Sequence, residues 1–387
     1  MRTIFIFGWV LGALVLAGCD RSSGSGESPA QSASARAAVV PTASAPAKTE
    51  KREGPRDHVA RARAMDEAFA SRDPKQLAAL YADDALIKMP GMPDVKGREA
   101  IEKSAERMFA VFKDAKLTHG RIWEKDRHTV VIESVFTGTN TGDAPEMGIP
   151  KATNKAVGIV GASWFEVDDD GLIKEEQRFH DEPTAVGQLV PDRKNPVRAA
   201  ITAPPNGTDD YKARSEEEAK EAKDENQRKE LANAIEVQRK NIELEDKGAA
   251  FLSDRNVDGV LKAIADDTVY VDYTGPTDVK GKKAFREMLD SFLAVFPDLK
   301  SKVVGGFGDG DYAVVLQEYS GTQKGALGAI KPTNKPMDIH QLEVDLYKGG
   351  KQVNGWTWGN SAEMLTELGV MKPPDAARGT KPNAPQK

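Results

Sequence analysis

Two aspartates and one histidine stand on predicted strands where side chains could move protons: Asp181 in RFHDE, Asp272 in TVYVDYTG and His340 in DIHQ. A carboxyl buried at a strand end is pushed upward toward neutral pH, which suits a general acid or base. His340, between Asp338 and Gln341, would polarise a ligand oxygen; the competing placement is an exposed strand position. Asp272 has the same alternative, with its carboxylate turned outward. Trp356 and Trp358 are two apart and share one face of a strand. With Trp164 and Tyr319 they are candidates for a ligand-binding wall, and core packing explains the two tryptophans of the last strand equally well. No second histidine lies at a ligand spacing from His340, and the chain has one cysteine, Cys19. A metal site is therefore not expected. The Gly305-Gly306 and Gly308 run does not open a helix after a strand, so no phosphate loop is expected, and no cofactor.

These residues sit inside a repeat. ADDALIKMPGMPDVKG, from Ala82, answers ADDTVYVDYTGPTDVKG, from Ala265, and the closing Gly97 and Gly281 are 281 − 97 = 184 positions apart. VFKD at Val111 answers VFPD at Val295, TGTNTG at Thr137 answers SGTQKG at Ser320, and PKATNK at Pro150 answers IKPTNK at Ile330. Matched blocks in one order mark a duplicated domain.

In the first copy, hydrophobic spacing predicts helices over 59–70, from Pro74 with Asp73 as N-cap, and over 98–111. Strands are expected over 85–89, 117–123, 129–139, 156–167 and 172–180. The second copy repeats this order: a helix ending near Leu252, helices over 257–265 and 284–295, and strands over 268–273, 303–307, 312–322, 337–347 and 352–360. Between the copies, three prolines in 192–210 predict an extended linker, and the charged run 211–247 predicts a solvated helix that gains an apolar stripe from Leu231. The expected domains are thus 56–191 and 231–371, with 192–230 between them and a polar tail over 372–387.

Three helices followed by a curved antiparallel sheet is an α+β pattern. The ADDA strand, the KGREAI helix, GTNTG, TNK and the Gly-turn strand ending in His180-Asp181 resemble the SnoaL-like polyketide cyclase and ester cyclase group of the NTF2-like, or ketosteroid-isomerase-like, superfamily. The resemblance covers both repeats. It implies two tandem cones, each with a sheet wrapped round helices and a pocket for a small, mostly apolar molecule. It also implies an acid/base role for Asp181, at the end of the last long strand, and, by the isomerase pattern, for Asp272 on the first strand. Asn360 stands where the first copy has Asp181, and Lys88-Met89 where the second has its first-strand acid, so the copies disagree at both positions. Two function classes follow: a cofactor-independent cyclase or isomerase, and a non-catalytic binding or interaction module. Many domains of this fold pair through their sheets, so the two cones are expected to pair within the chain.

The N-terminus carries a separate signal. Arg2, an apolar run from Ile4 to Leu16 and Leu16-Ala17-Gly18-Cys19 resemble a bacterial lipoprotein signal, residues 1–19, with Cys19 as the lipidated residue. Residues 20–55 are rich in Ser, Ala, Gly and Pro and read as a flexible tether. Asp20 resembles an inner-membrane retention signal, and the expected location is the bacterial envelope, facing the periplasm. A net charge of −6 over 387 residues argues against a nucleic-acid-binding surface.

Overall fold

A computed structural model describes residues 54–55, 57–190 and 196–372. The lipobox, Cys19, Asp20, most of the tether and nearly all of the tail lie outside the described residues. Among the described residues no helix is long and apolar enough to cross a membrane.

The first repeat runs α1 (His58–Ser71), α2 (Pro74–Ala78), β1 (Tyr81–Lys88), β2 (Val95–Lys96), α3 (Arg98–Val111), β3 (Lys116–Glu124), β4 (Thr129–Thr139), β5 (Ala156–Val167), β6 (Ile173–Phe179) and α4 (Glu182–Leu189). Side-chain caps set its helix starts. Asp57 accepts from the Ala60 amide, and Asp73 accepts from that of Lys75 with Pro74 in the first turn. Gly97 precedes α3 at φ 86° and Gly281 precedes its counterpart at φ 84°. A side chain at either would be strained, which is why glycine closes both copies of the repeat.

The connector contributes β7 (Asp210–Lys212) and α5 (Glu216–Glu221). The second repeat follows as α6 (Glu225–Ser253), α7 (Val257–Leu261), β8 (Ile264–Asp272), β9 (Val279–Lys280), α8 (Lys282–Val295), β10 (Lys300–Asp309), β11 (Tyr312–Thr322), β12 (Pro336–Lys348), β13 (Lys351–Gly359) and α9 (Ser361–Glu367). The sheets are ordered β2-β1-β6-β5-β4-β3-β7 and β10-β11-β12-β13-β8-β9. Within each repeat, the first strand runs parallel to the last and the others pair antiparallel. Both are α+β cones of the NTF2-like type, in tandem.

Several local features differ from the sequence expectation, and the helix expected over 257–265 stops at Leu261 because Ile264 opens β8. Helices α4 and α9 follow the last strands, where none was expected. Tyr211 lies in β7, not in a helix, because its ring stacks on Trp123 at 6.1 Å and its strand pairs with β3. The charged segment is two helices, since Ala222 leaves helical geometry at ψ 134° and Asp224 caps a new start.

The outer faces of the two sheets meet in one buried apolar cluster containing Trp123, Val131 and Trp164 from the first repeat and Phe307, Val344 and Trp358 from the second. Trp358 packs edge-on to Trp123 at 6.5 Å and stacks on Tyr273 at 5.4 Å. Trp164 meets Phe307 at 5.4 Å. A buried ion pair crosses this layer. The Arg121 Nε donates to Glu133 Oε2 at 2.8 Å, and its guanidinium lies 3.9 Å from the centre of the Trp356 ring. The connector clamps the seam: Asn206 donates to both Glu133 and the Tyr273 hydroxyl, and Arg198 pairs with Asp278 at 2.8 Å.

Candidate functional site

Strand β12 is buried on both faces. Leu342 and Val344 turn to the seam, while Ile339, Gln341, Glu343, Asp345 and Tyr347 alternate on the inner face. Opposite them, α6 contributes Glu245, Ala249 and Leu252, and α8 contributes Phe285, Met288, Leu289 and Phe292. Together these line a partly open cavity of about 110 Å³.

The polar groups of this cavity are mostly acids and phenols. The Tyr319 hydroxyl donates to Glu343 Oε1 at 2.7 Å, and the Tyr347 hydroxyl donates to Glu245 Oε1 at 2.6 Å. Gln352 donates to Asp345. Burial pushes the Glu343 carboxyl up to about 8; the Tyr319 bond opposes this, and the Glu245 and Asp272 charges reinforce it. Burial raises Asp345 well above the usual carboxylate range, with Glu245 and Glu343 adding to it. Glu245 is raised by burial and partly offset by its bonds to Tyr347 and Asp345. At neutral pH, therefore, Glu343 holds its proton in an apolar wall. Such a group donates a hydrogen bond or a proton to a ligand oxygen.

The first repeat lacks this chemistry. Thr139 pairs with Ala156 and Thr322 pairs with Pro336, which sets β5 and β12 in register at an offset of 336 − 156 = 180. Glu343 then matches Ser163 and Asp345 matches Phe165. The left-handed Arg72 and Arg255 end the first helices at an offset of 255 − 72 = 183, so Glu245 matches Ala62. The acid buried in the first cone is Glu176, which is fully engaged: Tyr81, Ser163 and both Nε and Nη2 of Arg178 donate to it at 2.6 to 2.9 Å.

Sequence-family comparison agrees with this architecture. A model of the SnoaL-like polyketide cyclase family matches residues 243–368, and a model of the SnoaL-like domain family matches residues 62–176. The chain carries two SnoaL-like domains in tandem. Solved structures similar to one domain at a time include a putative polyketide cyclase from Xanthomonas campestris pv. campestris, at 25% identity over 33% of this chain and 92% of that one, TM-score 0.30. Another is IdmH, a putative polyketide cyclase from Streptomyces antibioticus, at 19% identity over 33% of this chain and 98% of that one, TM-score 0.31. A third is a putative SnoaL-like polyketide cyclase from Jannaschia sp. CCS1, at 17% identity over 34% and 93%, TM-score 0.32. Among curated proteins none matches the chain.

Of the residues singled out in the sequence, Tyr319 lines the cavity of the second SnoaL-like domain. Asp181 is placed elsewhere, at the junction between the two domains. It caps α4 by accepting from the Thr184 amide at 2.8 Å and accepts from the amide of Ser361, in α9, at 2.8 Å. Asn360 reciprocates: its side-chain oxygen caps α9 and accepts from the Glu182 amide at 3.4 Å. The disagreement between Asp181 and Asn360 is thus one between two helix caps that each reach across the seam. Asp272 is buried on the cavity-facing side of β8, but its Oδ1 accepts from the Thr274 amide at 2.8 Å and the Thr274 hydroxyl at 2.7 Å, and burial raises it. It stands behind the cavity wall and acts on it through its charge on Glu343. His340 lies half-exposed on the opposite face of β12, and its Nδ1 is 2.9 Å from Glu363, which raises it. Trp164, Trp356 and Trp358 belong to the seam. The acids that do face the cavity, Glu245, Glu343 and Asp345, were missed. The signal for two of them was the i, i+2 continuation of Met337 and Ile339 through β12.

Proposed function

We propose that the second SnoaL-like domain is the working one, holding a small, mostly apolar molecule and carrying cofactor-independent acid/base chemistry of the cyclase or isomerase kind. The supporting observation is Glu343, a carboxyl that burial holds protonated up to about 8, facing a partly open, largely apolar cavity. Glu343 protonates or hydrogen-bonds a carbonyl oxygen, and Glu245, whose ionised form the Tyr347 and Asp345 bonds favour, is the base that exchanges the proton at the adjacent carbon. The engaged Glu176 favours a structural role for the first domain, whose sheet supports the seam face of β12. The resemblance of the N-terminus supports attachment to the envelope through Cys19. In that case Cys19→Ser moves the chain from the membrane to the soluble fraction, and a wild-type chain already soluble contradicts the anchor.

Native mass spectrometry of the full chain, purified from its own host, tests the pocket. The wild type is expected to retain a small molecule that Leu289→Trp, which fills the cavity, loses. Glu343→Gln is expected to convert it about 10²–10⁴-fold more slowly. An equal load in the wild type and Leu289→Trp contradicts the pocket, and unchanged turnover in Glu343→Gln contradicts the acid.

A further inference from the structure

Two buried glutamates of this chain have a guanidinium beside them: Arg121 beside Glu133 and Arg178 beside Glu176. The cavity of the second domain breaks that habit. Among the described residues, Glu245, Glu343 and Asp345 line it together, and no lysine, arginine or histidine does. A second observation is independent of the acids. The Gln341 side chain is only 6% exposed, faces the same cavity and makes no hydrogen bond within the described residues. An amide on a cavity wall without a protein partner is completed by what occupies the cavity, water or a ligand.

We propose that this cavity takes a small organic cation, an amine or quaternary ammonium with apolar substituents. The proposal rests on the reading of the second domain as the binding domain and names its ligand class. The cation supplies these acids with a charge complement that no described residue of the cavity wall offers. Tyr270, Phe285, Phe292 and Tyr319 supply aromatic surface for a cationic head. For an amine carrying an N–H, the Gln341 oxygen is the free acceptor. The acids are spread around an apolar space, and among the described residues no group of three or more His, Cys, Asp or Glu is placed to hold a metal ion. That spacing suits a polyatomic cation.

The electrostatics supply a readout. Glu343 is faced by Glu245 from α6, Asp345 and Tyr347 from its own strand, Asp272 and Tyr270 from β8, Tyr319 and Gln317 from β11 and Gln352 from β13; none of these is cationic. A cation entering at neutral pH ionises a carboxyl that was protonated, and that proton passes to the solvent. Binding therefore releases a proton and strengthens as pH rises toward about 8.

The test uses the full chain, with choline as the cationic probe and 3,3-dimethyl-1-butanol as its neutral isostere, titrated calorimetrically in two buffers of different ionisation enthalpy. Choline is expected to bind at least roughly tenfold more tightly than the alcohol, with proton release that differs from zero and an affinity rising by up to about tenfold per pH unit between pH 6 and 8. Glu343→Gln, judged folded by near-ultraviolet circular dichroism, is expected to weaken choline tenfold or more. The proton release of the wild type carries the test if that variant does not fold. If the alcohol binds as well as choline, or choline binds without proton release, the cation assignment is overturned while the binding pocket stands. If neither binds, both fall.

Discussion

Glu343→Gln is expected to be more stable than the wild type at pH 8.5 by about 2–4 kcal/mol, and within about 1 kcal/mol of it at pH 5. The sign follows from proton linkage. Burial raises the folded-state value of Glu343 from the ordinary 4.5 to about 8. Between those values the folded chain keeps a proton that the unfolded chain has released. Stability attached to this group is therefore complete below about 4.5, falls as pH rises and is lost above about 8. Glutamine is nearly isosteric, still accepts from the Tyr319 hydroxyl and never ionises. A tenfold difference in proton affinity between the folded and unfolded chain corresponds to about 1.4 kcal/mol, and neighbouring acids share part of the effect, which keeps the expected gain below the full product. Urea unfolding at the two pH values checks this. A wild type whose stability is flat or rising from pH 5 to 8.5 relative to Glu343→Gln contradicts it. A buried acid retained at the expense of stability is what a functional site looks like.

Trp358→Ala is expected to cost about 3–5 kcal/mol and to lower the melting temperature by roughly 10 °C or more. Trp358 is fully buried between Trp123 of the first domain and Tyr273 of the second. Its loss opens a cavity across the seam, next to the Arg121–Glu133 pair, where collapse would pull a buried charge out of register. Val237, 39% exposed on α6, is the control: Val237→Ala should change stability by no more than about 0.5 kcal/mol. Thermal unfolding by calorimetry decides between them. If Trp358→Ala melts within about 2 °C of the wild type, the two sheets do not depend on each other as described.

The fold was legible because it is written twice. Weak motifs such as ADDA, TNK and the closing glycines gain force from recurring in order, and helix α3 and strands β4, β5 and β11 have the bounds that their hydrophobic spacing predicts. The site was harder to read. Asp181-Glu182-Pro183 reads both as a strand-end acid and as an N-cap with proline in the first turn, and α4 takes the second meaning. A single strand cannot say which face looks inward when both are buried. In β12 the seam face carries Leu342 and Val344, and the cavity face carries Glu343 and Asp345, the reverse of the usual assignment of apolar residues to the inside. Only the partner sheet resolves that inversion. Glu245 was hidden for a related reason: on a helix dense in Glu and Lys it looks like one more solvated charge.

The infrared absorption of the full chain through a pH titration tests the central claim most directly. A protonated-carboxyl stretch should be present at pH 7, fade as pH rises through about 8, and lose its largest component in Glu343→Gln. If that band is missing at pH 7, or is unchanged by Glu343→Gln, Glu343 is not the neutral acid of the second cone.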